Sequence, residues 1–81
     1  MDDQAIVARI GELMELEHRL KNTHATSGAL GADEQARMRS VEVALDQCWD
    51  LLRQRRARRD VGRDPDAAVE READTVEGYR Q

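Results

Sequence analysis

The chain has 81 residues, room for one domain at most, and a domain this short buries little apolar surface by itself. Charged residues make up 37% of it, Phe is absent, and Trp and Tyr occur once each, a composition that suits long solvated helices and excludes a large aromatic core. One cysteine excludes an intrachain disulfide, and with only two histidines beside it a structural zinc site is not expected.

Of the 13 basic side chains only Lys21 is a lysine, a bias expected of a GC-rich, bacterial genome. The net charge of −4 divides unevenly: residues 1–52 carry −5, residues 53–63 carry +5 and residues 64–81 carry −4. The acidic start Met1-Asp2-Asp3 and the lack of a long apolar run predict neither signal peptide nor membrane span. A reduced, cytoplasmic setting is expected.

The first predicted helix spans about 3–22, opened by Asp2 and Asp3 at its positive end. The polar stretch from Thr23 to Gly31, with two glycines, is read as the loop. A second helix, about 33–59, contains neither Gly nor Pro and stops at Val61-Gly62. Asp64-Pro65 reads as an N-cap followed by proline at the first helical position, predicting a short third helix over about 65–73. Residues 75–81 are expected to form an exposed, flexible tail.

Five pairs fix how the long helices meet: Ile6 with Leu52, Ile10 with Cys48, Leu13 with Leu45, Glu17 with Val41 and Leu20 with Met38. In each pair the residue numbers add to 58, and the spacings run 3-4-3-4. Two helices folded back in one register give this pattern, so residues 1–60 are predicted to be an all-α, antiparallel, coiled-coil-like hairpin. Val7, Met14 and Trp49 flank the seam on one side, and Leu16, Ala44 and Leu51 on the other. Such wide stripes suit a bundle-facing helix. Dimerisation into a four-helix bundle is therefore expected, with coverage by Val69, Val76 or Tyr79 and an unidentified protein partner as alternatives.

No catalytic constellation, cofactor site or metal site is expected. Glu15 and His18 have the Glu-x-x-His spacing of di-iron bundles, but both point away from the seam. Glu17 is the ionisable group within the seam, with Lys21 one turn on to pair with it. Cys48 reads as a small core residue rather than a reactive thiol. Arg53, Arg55, Arg56, Arg58 and Arg59 are candidate phosphate contacts. Weighed against that are the negative net charge, the lack of interleaved aromatics and the preference of a helix C-terminus for cations. The expected function is a non-enzymatic, self-associating helical interaction module; the alternative is a nucleic-acid-associated accessory protein.

The stretches Met1-Asp2-Asp3-Gln4-Ala5-Ile6, Glu17-His18-Arg19-Leu20, residues 44–59, Asp64-Pro65-Asp66 and Val76-Glu77-Gly78-Tyr79 resemble a family of small actinobacterial proteins classed only as a domain of unknown function. The resemblance covers nearly the whole chain except the loop from Thr23 to Ala32, and Cys48-Trp49-Asp50-Leu51-Leu52-Arg53-Gln54-Arg55-Arg56 is its most specific part. It implies a bacterial source and no activity. It also implies that Val76-Glu77-Gly78-Tyr79 is more than filler.

Overall fold

A computed structural model describes residues 1–27 and 31–78. Helix α1 spans Asp3–Ser27 and helix α2 spans Ala32–Asp60; a 3₁₀ turn at Pro65–Ala67 and a short helix α3, Ala73–Gly78, follow. The fold is the expected all-α antiparallel hairpin. The Asp2 carboxylate opens α1 by accepting from the Ala5 N–H at 2.8 Å. Asp33 and Glu34 place negative charge in the first turn of α2. Gly62, at φ 74°, closes α2 in the left-handed region that favours glycine. There the Gly62 N–H donates to the Arg59 carbonyl at 3.1 Å and the Arg63 N–H to that of Arg58 at 2.8 Å.

Two expectations need correction. Helix α1 runs on to Ser27 instead of stopping at Asn22. Thr, His, Ala and Ser carry only small helix penalties, and a long helix already formed extends through them one hydrogen bond at a time. Residues 28–30 of the predicted loop and Tyr79, offered as cover, lie outside the described residues.

The C-terminal segment also differs. The third helix does not fill 65–73; Asp64 caps only the 3₁₀ turn, accepting from the Asp66 N–H at 2.9 Å. The chain then runs extended and re-forms a helix at α3, which takes in residues 75–78 of the expected tail and in which Val76 is only 4% exposed. The cause is competition from α2, whose side chains take carbonyls that a longer helix would have used: Arg55 bonds the Pro65 carbonyl at 3.2 Å and Gln54 that of Val69 at 2.9 Å.

Ile6, Ile10 and Leu52 form the buried core, with Leu45, Cys48 and Leu51 packed against it. Leu13 and Val41 are buried further along the seam. Leu20 and Met38 are half-buried, as expected of the layer nearest the loop. The molecule measures 50 × 26 × 15 Å, so its thinnest dimension is little more than one helix. A layer that thin can cover a seam but not both flanks of it.

Candidate functional site

The polar end of the hairpin is a lock rather than a ligand site. Arg55 lies three residues beyond Leu52 on the seam and is only 6% exposed. Its Nε donates to Asp3 Oδ1 at 2.6 Å, and its terminal nitrogen donates to Asp66 Oδ1 at 2.9 Å. Arg59 donates to the other Asp3 oxygen, also at 2.9 Å. The Asp3–Arg55 bond obeys the 58-sum register and fixes it at the open end of the hairpin. The Arg55 hydrogen bond, and after it the Arg59 one, holds the Asp3 carboxyl below its ordinary value against the opposing effect of burial. Hydrogen bonds to Asp3 and then Asp66 likewise raise Arg55.

This overturns part of the phosphate-contact set. Arg55 is buried and doubly paired, and Arg59 is engaged with Asp3, so neither projects as a free cation. Arg53 and Arg56 remain exposed, and Arg58 is half-buried. Arg58 joins Arg63 and Arg71 around a shallow hollow of ≈ 360 Å³.

A polar stripe on α2 binds the C-terminal segment. Gln47, Asp50 and Gln54 share one face at i, i+3 and i+7. Gln47 donates to the Arg71 carbonyl at 3.3 Å and Gln54 to the Val69 carbonyl. The buried Asp50 carboxylate accepts from Gln54 at 2.9 Å and pairs with Arg71 at 3.6 Å. Sequence reading missed this stripe because polar residues on a helix face are ordinarily solvated. The available signal was its spacing opposite a segment that has few apolar anchors of its own.

The consequence for the flanks is unequal. The C-terminal segment packs on α2, whose flank residues Leu51 and Ala44 are half-buried. On the other flank Val7 is 52% exposed, Met14 53% and Trp49 42%. Of the residues named from sequence as core or interface, Met14, Leu16 and Trp49 are therefore on the surface, while Leu51 is partly covered. Leu16 edges a shallow groove of ≈ 390 Å³ near the loop end, beside Leu20, Ala36, Ser40 and Val41.

The remaining candidates have ordinary surroundings. Glu17 pairs with Lys21 at 3.7 Å, the i, i+4 contact expected for it. Glu15 and His18 are exposed, and the His18 ring meets the Asn22 amide at 3.2 Å. Among the described residues no three His, Cys, Asp or Glu side chains converge as a metal site. Burial, then the negative charge of Glu70, pushes the Cys48 thiol up, which suppresses its thiolate.

These features define a class: a two-helix antiparallel hairpin, locked at its open end by arginine–aspartate pairs and strapped along one side by its own C-terminal segment. The chain belongs to the family described as "Protein of unknown function (DUF2630)", which matches residues 2–81. It is similar to uncharacterized proteins of Mycobacterium bovis and of two strains of Mycobacterium tuberculosis. Each is 48% identical over 77 residues, covering 95% of this chain and 88% of the relative. No solved structure matches the chain. Among the described residues no helix is long and apolar enough to cross a membrane.

Proposed function

We propose that the protein is a non-enzymatic helical interaction module that self-associates through the flank bearing Val7, Met14 and Trp49. One observation carries this reading. The C-terminal segment covers the opposite side of α2 and leaves three large apolar side chains about half in water on one continuous flank. Grouped apolar exposure of this kind on a small domain favours association, whereas scattered single residues do not. A second copy supplies the missing layer and turns the two hairpins into a four-helix bundle. The test is light scattering after size exclusion at micromolar concentration. The wild-type chain is expected at about twice its 9.2 kDa mass, and Trp49→Glu at the monomer mass with its helical circular dichroism kept. A wild-type chain that stays monomeric at every concentration would count against the module.

A further inference from the structure

The open flank carries a pattern that is complementary to itself. On α2, Glu42, Trp49 and Arg56 recur every seven residues along one row, with Trp49 at the centre. Glu42 and Arg56 make no side-chain ion pair within the described chain. Arg53 adds positive charge on the Arg56 side, and the half-buried Asp46 adds negative charge on the Glu42 side. On α1, Met14 follows Val7 by seven residues, so the two lie on one row. The α2 row is thus acid–Trp–base, and the α1 row beside it carries Val7 and Met14. Trp49 and Val7 are nearly level: in the register fixed by Asp3 and Arg55, Val7 is opposite position 51, about 3 Å along the axis from Trp49.

The geometry points to one dimer, and the inference rests on the self-association proposed above. A two-fold axis crosses the helices at the level of Trp49 and Val7, with α2 antiparallel on the partner's α2 and α1 antiparallel on the partner's α1. A two-fold interface must be self-complementary, each residue meeting its reciprocal. This axis satisfies that for the acid–Trp–base row of α2. Trp49 and Val7 each come close to their own copies. Each Glu42 faces the other copy's Arg56, twice per dimer, and Arg53 approaches the second Asp46. The other face-to-face arrangement, α2 on the second copy's α1, brings Glu42 beside Met14 and away from Arg56 of the second copy. That sets the Glu42 charge against an apolar side chain and is disfavoured. Charge pairs at the rim mainly choose orientation and exclude the wrong register.

Charge reversal at the half-buried Glu42 and the exposed Arg56 tests the arrangement without substituting a core residue. Glu42→Arg places like charges together twice in its own dimer, and so does Arg56→Glu. Each variant alone is expected to sediment as a monomer at concentrations where the wild type is a dimer. A mixture of the two variants is expected to dimerise, because both cross-copy contacts become opposite-charge pairs. Circular dichroism checks that each variant remains helical. A wild-type dimer indifferent to either reversal, or variants that fail to rescue one another, would overturn this axis and leave the self-association reading standing. A wild-type chain that never dimerises overturns both.

Discussion

At the residue scale, Leu52 and Arg55 set the register from opposite chemistries. Leu52 is 1% exposed and sits in the core with Ile6 and Ile10. Leu52→Ala is expected to lower stability by ~2–5 kcal/mol in urea unfolding, whereas exposed Arg53→Gln is expected to stay within ~0.5 kcal/mol. Arg55→Met removes the partner of Asp3 and is expected to reduce the melting temperature clearly more than Arg53→Gln does. Because the folded Asp3 carboxyl titrates below its unfolded value, its contribution is present above the ordinary value of 3.8 and is lost as pH falls through the lower, folded one. Asp3→Asn is expected to flatten that acid limb of the stability curve; an unchanged limb in acid unfolding would show that other carboxylates dominate it. Gly11 marks the reverse case. A Cβ placed there meets nothing within 4 Å, so Gly11→Ala is expected to stabilise α1 by roughly 1 kcal/mol, readable as a higher urea midpoint.

At the scale of elements, the two long helices were legible in the sequence and the C-terminal segment was not. The hairpin follows from apolar spacing, and Ile6, Ile10, Leu13, Val41 and Leu52 are buried where that spacing puts them. The Gly62 stop was equally legible, since a left-handed cap selects glycine. Residues 63–78 carry no such period. Their path depends on Arg55, Gln54, Asp50 and Gln47 reaching across to Pro65, Val69 and Arg71, and those side chains look like surface residues until the segment lies on them. The six residues of α3 are too few to persist as an isolated helix, so α2 holds them in place. Val76→Ala is expected to lower stability by about 1–2 kcal/mol, because a buried valine loses two methyl groups. Gln54→Ala is expected to speed amide exchange in residues 68–77 while leaving the centre of α2 protected. Uniform exchange changes along the hairpin would contradict a separately opening strap.

At the scale of the molecule, a sheet one helix thick cannot shield both sides of its seam. The C-terminal segment covers one side; in the dimer proposed above, a second copy covers the other over the acid–Trp–base row of α2. Two members of the arginine cluster, conspicuous in sequence, engage the chain's own aspartates: Arg55 and Arg59 hold Asp3, and Arg55 also holds Asp66. The phosphate-binding alternative retains only Arg53, Arg56 and Arg58 of its original set. The most direct measurement uses Trp49, the sole tryptophan, as a reporter on the flank itself. Its emission and acrylamide quenching are followed during dilution from micromolar to nanomolar protein, with circular dichroism checking that the helices persist. Association through this flank predicts a blue-shifted, protected emission when concentrated and a red-shifted, readily quenched one when dilute. Emission and quenching that stay those of a half-exposed indole at every concentration would contradict the account.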